Sequence, residues 1–254
     1  MKTNFHTHIY RCGHASGDVE DYVLEGIRKG YSSLGISDHG PLPDYLFDRM
    51  PMTDLEAYIE SINSAKKKYS NKINIFSALE LEYFEEFEAY YIDLKEKLDY
   101  LVLAIHYFTR NEKLHSSWGV SSKEDLKAFV DLTIKAIKSK HFDFLAHPDL
   151  FSVSYTDWDE HAIEASYKIC KTAKEFNLPI ELNANGVRKG LRKTERGLRY
   201  PYPNEDFWKI AKEVGVKVLI NSDCHMVEEL DDEYMNHANK LAKKWGLNII
   251  KKLK

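Results

Sequence analysis

Cysteine is scarce: Cys12, Cys170 and Cys224 stand at irregular spacing in 254 residues. That excludes a disulfide-stapled secreted scaffold and points to a reducing cytoplasm. No apolar stretch approaches the roughly 20 residues that a membrane-spanning helix needs, and Met1-Lys2-Thr3 lacks the apolar run of a signal peptide. A positive excess is missing too. With 36 Lys and Arg against 40 Asp and Glu, the net charge is −4, which argues against a protein that coats nucleic acid. There is no low-complexity tract, linker or internal repeat, so residues 1–254 are expected to form a single domain. Cys12 and Cys224 adjoin histidines, and the expectation for both is a free thiol beside a buried site.

What the chain does have is histidine at the ends of apolar strands. Thr3-Asn4-Phe5 starts a strand that runs into His6-Thr7-His8, and an i, i+2 pair on extended chain faces one side. Asp18 caps a helix that stops at Gly30. Further strands are predicted at Ser32–Ile36, Ile73–Leu79, Tyr100–Ile105, Phe142–Ala146, Pro179–Leu182 and Lys217–Ile220, with helices between them. The pattern also predicts a capping box at Thr53–Glu56 and long loops over Phe108–Ser121 and Ala184–Pro203. A last helix from about Glu228 to Trp245 and a short Leu247–Ile250 segment close the chain. Seven strands alternating with helices favour a parallel α/β barrel, whose strands all end on one face.

Six of the seven strands end in a candidate metal ligand: His6 and His8, His39, Glu80, His106, His147, and Asp223 with His225. The seventh ends at Asn183, and His14 lies in the loop after the first strand. One zinc-like ion takes about three or four protein ligands, so these nine suit two or three ions. His115, His141, His161 and His237 fall on helices or loops and are expected at the surface. A pocket with several divalent ions and two anionic ligands stays cationic, attracts phosphate and acidifies bound water. Metal-assisted phosphate ester hydrolysis is therefore the expected chemistry. Amide hydrolysis or deamination competes, but no strand end supplies the bridging lysine common in such barrels.

A second feature is the stretch Ala184–Pro203, where Arg188, Lys189, Arg192, Lys193, Arg196 and Arg199 face one acid, Glu195. A barrel loop of this kind opens over the active face and could clamp a phosphate. Arg188 and Arg192 are the first choices, being nearest the strand end. Aromatic residues are plentiful in the loops (Tyr45, Phe47, Phe108, Trp118, Tyr155, Trp158), and ordinary packing accounts for most of them.

His6-Thr7-His8, His14, Asp38-His39, Glu80, His106, His147 and Asp223-Cys224-His225 together resemble the full motif set of the polymerase-and-histidinol-phosphatase (PHP) superfamily. The resemblance implies a distorted (β/α)7 TIM-like barrel holding three divalent ions (zinc, iron or manganese) at the C-terminal ends of the strands. It implies that His6, His8, Glu80 and Asp223 hold the first ion. Glu80 would bridge to a second with His106 and His147, and His14, His39 and His225 would hold the third. Glu82 is expected one layer outward, supporting the ligands. The Arg11-Cys12-Gly13-His14 segment and the Asn183…Arg188-Lys189-Gly190 loop look like histidinol-phosphate phosphatases, implying hydrolysis of L-histidinol phosphate to L-histidinol and phosphate in histidine biosynthesis. A metal-bridging hydroxide would attack phosphorus in line while Arg188 and Arg192 hold the phosphoryl oxygens, with Asp38 as a candidate general acid. The alternative is another small phosphate ester, or a nuclease-type phosphodiesterase, for which the acidic remainder offers no extended groove.

Overall fold

The computed structural model describes residues 2–43 and 48–253, so Tyr45 and Phe47 lie outside the described residues. Eight parallel strands make one sheet in chain order: β1 (Thr3–Asn4), β2 (Ser33–Ile36), β3 (Asn74–Leu81), β4 (Tyr100–Leu103), β5 (Phe144–Leu145), β6 (Ile180–Asn183), β7 (Lys217–Asn221) and β8 (Asn248–Ile249). The first seven are those predicted. The eighth comes from the short terminal segment and pairs with Lys217 and Val218 of β7. Helices α1 (Val19–Arg28), α2 (Leu55–Lys68), α3 (Glu88–Lys97), α4 (Lys123–Ser139), α5 (Glu160–Glu175), α6 (Ala184–Arg188), α7 (Glu205–Val214) and α8 (Glu233–Lys244) form the connections.

The sheet curls until β1 meets β7. Asp223 N donates to His6 O at 3.1 Å and His8 N to Cys224 O at 3.0 Å, just beyond the two strands. Two asparagines extend the seam: Phe5 N donates to Asn221 Oδ1, and Ser222 N to Asn4 Oδ1. β8 takes up the other end of that edge of β7. The barrel is thus pinned at the C-terminal ends of its strands and irregular at the opposite end, which is the distortion expected.

All residues of β4 and β6 are buried, as befits strands covered on both faces. Alternation sorts them. Leu101 and Leu103 pack under the helices, while Tyr100 and Val102 join Phe5, Ala78, Phe144 and Leu219 in a separate interior cluster. Gly35 makes that interior possible: a Cβ there would fall 1.7 Å from the Tyr100 hydroxyl, which donates to Phe5 O across the barrel. The same period of two carries the inner face upward, from Ala78 to Glu80 and from Leu219 to Asn221 and Asp223.

Helices α1, α4, α5 and α7 are capped by Asp18, Ser122, Asp159 and Asn204. The capping box predicted at Thr53–Glu56 is not made. The chain enters α2 through a 3-10 turn at Met52–Asp54, and the Thr53 hydroxyl bonds the Asp54 carboxylate instead. The predicted loop Phe108–Ser121 contains a hairpin, Tyr107–Arg110 against Lys113–Ser116. Its two turn residues, Asn111 and Glu112, have φ of 50° and 59°. Asn-Glu carries such a turn without the Asn-Gly signal that would reveal it. Ala184–Pro203 likewise holds α6 and a hairpin, Arg192–Thr194 against Gly197–Arg199. The cysteines are free and buried, and among the described residues no helix is long and apolar enough to cross a membrane.

Candidate metal centre

All nine predicted donors meet at the mouth of the barrel. Ring centroids form a continuous chain: His6–His8 at 5.0 Å, His8–His39 at 4.3 Å, His8–His225 at 4.2 Å and His14–His39 at 5.1 Å. His106 closes the other side, 5.5 Å from His39 and 4.8 Å from His147. Glu80 lies among them, with Oε1 3.1 Å from His147 Nε2 and 3.3 Å from His6 Nε2, and Oε2 2.9 Å from His39 Nδ1. Asp223 Oδ1 is 3.0 Å from His8 Nε2. His147 and Asp223 hold φ of 28° and 49°. For non-glycine residues this costs about 1–3 kcal/mol and persists only where the surroundings impose it, commonly at a functional site.

Carboxylates behind the ring fix how the imidazoles point. Glu82 accepts from His106 through both the ring Nδ1 and the backbone N, each at 2.8 Å, and so supports the donor set as expected. Asp38 does the same for His8, with Oδ1 3.3 Å from Nδ1. Its oxygens also accept from His39 N and Cys12 N. Asp38, expected as a candidate general acid, is thus fully buried, and both its oxygens accept from donors beside the ring, His8 among them. The third support, Glu181, escaped the sequence reading; its carboxylate is 2.8 Å from His6 Nδ1. The available signal was period two within Pro179–Leu182: Glu181 shares a strand face with Asn183, an acid inside an otherwise apolar buried strand. A carboxylate on one ring nitrogen leaves the other, basic and directed, for a metal.

The charge balance asks for cations. Burial opposes protonation of His6, but Glu181, Asp223 and Glu80 outweigh it and raise its pKa well above the usual imidazole value. For His8, contacts with Asp223 and Asp38 overcome burial and lift it to about 9. Burial and positive His8 push His39 well down and His225 to about 3, leaving their lone pairs available. Burial would raise Glu80 and Asp223, yet the surrounding imidazoles hold both well below the ordinary carboxylate range. Buried carboxylates therefore draw positive charge, supplied by protons on His6 and His8 when no ion competes. Glu80 Oε2 and Asp223 Oδ1 are buried without a hydrogen bond despite the ring nitrogens close by, and His6 Nε2 faces His8 Nε2 at 3.1 Å. Lone pairs converging in this way fit divalent ions. A mixed nitrogen and oxygen donor set suits zinc, iron or manganese.

The donors open into a cavity of about 390 Å3 walled by Tyr107, Trp118 and Tyr202, with Asn185 and Lys189 on the rim. Gly186 lets Tyr202 in, since a Cβ there would lie 2.3 Å from Tyr202 O. Arg188, expected to clamp phosphate, is turned away. It donates to Asp232 at 2.6 Å, to Ser222 O and Oγ, and to Glu229 O, tying α6 to the segment before α8. Arg192 is exposed on the hairpin and does not line the cavity. Neither guanidinium is among the residues that line the cavity. Lys189, one residue past α6, is the cation of that loop that reaches the cavity.

The PHP domain family model matches residues 4–185. The chain belongs to the PHP domain family. This PHP chain is 26% identical to the histidinol-phosphatase of Bacillus subtilis, over 92% of its own length and 97% of the relative's. A "probable histidinol-phosphatase" of Deinococcus radiodurans is 23% identical, over 96% and 94%. The structure of histidinol phosphate phosphatase from Lactococcus lactis subsp. lactis, complexed with zinc, L-histidinol and phosphate, superposes with a TM-score of 0.74 at 17% identity, covering 98% of this chain and 95% of that one. The distorted TIM-like α/β barrel expected from the PHP resemblance is the fold found.

Proposed function

We propose that this PHP chain is a metal-dependent phosphomonoesterase that hydrolyses L-histidinol phosphate to L-histidinol and phosphate, with residues 1–254 acting as one catalytic domain. The observation that carries the reading is the convergence of nine nitrogen and oxygen donors around Glu80, where two buried carboxylate oxygens lack any hydrogen bond. The relatives named above support the substrate.

Three overlapping donor sets support three ions: His6, His8 and Glu80; His39, Glu80 and His106; and His8, His39 and His225. Asp223, His147 and His14 adjoin them. A fourth cluster, His8, Cys12 and Asp38, is set aside, because the Asp38 oxygens already accept from His8 Nδ1, His39 N and Cys12 N, and the Cys12 thiol donates to Ile9 O. Zinc, iron or manganese bound there supplies Lewis-acid stabilisation of the phosphoryl oxygens and acidifies a water to act as nucleophile. The chain's own part is to hold the ester in place. Lys189 and Asn185 meet the phosphoryl group from the rim, and Tyr107, Trp118 and Tyr202 flank the organic part. Burial raises the Tyr202 phenol well above its ordinary range, so it stays a neutral hydroxyl against the site. A cavity of about 390 Å3 favours a small ester over a nucleic-acid strand. Three buried free thiols suit the cytoplasm, where amino-acid biosynthesis proceeds.

The test is phosphate release from L-histidinol phosphate before and after chelation, followed by titration with zinc, manganese or ferrous ion. Activity should vanish with the metals and return with one of them. Undiminished turnover by metal-free protein overturns the reading, and preference for a short oligonucleotide replaces it with a phosphodiesterase.

A further inference from the structure

The Glu181 carboxylate is fully buried below the centre and accepts four hydrogen bonds, two on each oxygen. Oε1 takes His6 Nδ1 at 2.8 Å and Asn221 Nδ2 at 2.9 Å. Oε2 takes Asn183 Nδ2 at 2.8 Å and the backbone N of His147 at 3.2 Å. The amides carry the contact further. Asn183 Nδ2 also reaches Asp223 Oδ2 at 2.9 Å, and Asn221 Oδ1 receives Phe5 N at the seam between β1 and β7. One carboxylate therefore touches the ring of a donor from the first strand and the backbone of a donor from the fifth. Through Asn183 it reaches a donor from the seventh.

We propose that Glu181 is the positioning residue that sets the tautomer of His6 and the backbone of His147, so that the ions held by these two side chains depend on it together. This rests on reading His6 and His147 as metal ligands. Because Glu181 accepts at Nδ1, the proton of neutral His6 stays there and Nε2 is bare toward the centre. The left-handed backbone of His147 is held by the same acceptor. His14, His39 and His225 make no contact with Glu181 among the described residues.

Glu181→Gln separates positioning from packing. Its volume is nearly unchanged, but one of two acceptor oxygens becomes an NH2 group that meets two donors. If the NH2 faces His6, the ring must accept at Nδ1 and carry its proton on Nε2, where it no longer ligates. If it faces the other way, His147 N loses its acceptor. Either orientation damages a ligand around Glu80 and spares His14, His39 and His225.

The experiment measures metal content by mass spectrometry and zinc affinity by competition with a chelating dye, for the full chain and for Glu181→Gln, alongside melting of both metal-free proteins. The expected result is an affinity lower by about 10–100-fold and at least one ion fewer per chain, with at least one retained. Zinc content and affinity equal to the unmodified chain overturn the proposal, even if metal-free melting drops, because that outcome is a structural role alone. An unmodified chain that binds no metal instead overturns the reading of the centre itself. Should Glu181→Gln not fold, 15N NMR of the zinc-loaded unmodified chain decides: His6 protonated at Nδ1 supports the proposal, and His6 protonated at Nε2 overturns it.

Discussion

Replacing Glu80 and Glu82 one at a time by alanine distinguishes a shared ligand from its support. Both are buried acids on one face of β3 and its extension, two residues apart, and both lie near His106. Their surroundings differ. Glu82 meets His106 at its ring and backbone and Arg49 at 3.2 Å. Losing such an orienting carboxylate costs about 10–100-fold in activity or metal affinity, or about 1.4–2.7 kcal/mol at about 1.36 kcal/mol per tenfold. Glu80 faces His39, His147 and His6 within 3.3 Å and keeps one oxygen free of any hydrogen bond. Read as a ligand shared by two ions, it should cost at least the product of two such losses, roughly 10^2–10^4-fold. The assay is kcat/KM for phosphate release from L-histidinol phosphate, with metal content measured on the same samples and circular dichroism confirming the fold. Should Glu82→Ala lose as much activity as Glu80→Ala, or more, Glu80 is not the bridge and the centre must be redrawn around Glu82.

Arg188→Ala breaks a largely buried ion pair with Asp232 and three bonds to Ser222 and Glu229, so denaturant unfolding should show a loss of about 3 kcal/mol. Lys189→Ala should leave stability alone and raise KM for the phosphate ester several-fold; the opposite partition returns Arg188 to the phosphate. Asp38→Asn weakens the hold on His8 and should lower activity about 10–100-fold at every pH. Loss of the alkaline limb of the pH–rate profile in that variant would restore Asp38 as the proton donor. Gly35→Ala drives a methyl into the Tyr100 hydroxyl and should destabilise by about 1–3 kcal/mol or more. Adding Tyr100→Phe should recover part of the loss, and an unchanged unfolding midpoint in the single variant refutes the packing argument.

Most of the donor set was legible from local pattern. Strand ends show in sequence because mostly apolar stretches of four to seven residues stop abruptly, and in a parallel barrel every strand ends on the same face. His39, Glu80, His106 and Asp223 needed nothing more than that. Glu82 was placed by period two, which holds on any strand. Helix caps at Asp18, Asp159 and Asn204 are likewise decided within one turn.

What the sequence determined by itself was therefore the alternation of strands and helices, the side on which they end, and the donors that end there. Tertiary structure decided the partners. Arg188 and Lys189 are neighbours in the same basic run, yet packing against Asp232 and Glu229, more than forty residues on, turns one away from the cavity and leaves the other on its rim. Asp38 reads as a free acid until the curled sheet brings His8 and Cys12 to its two oxygens. Glu181 is an unremarked residue of a four-residue strand until strands one, five and seven close over it. Periodicity tells which face a side chain takes; what it meets there depends on chain segments distant in sequence, and only the closed barrel brings them together.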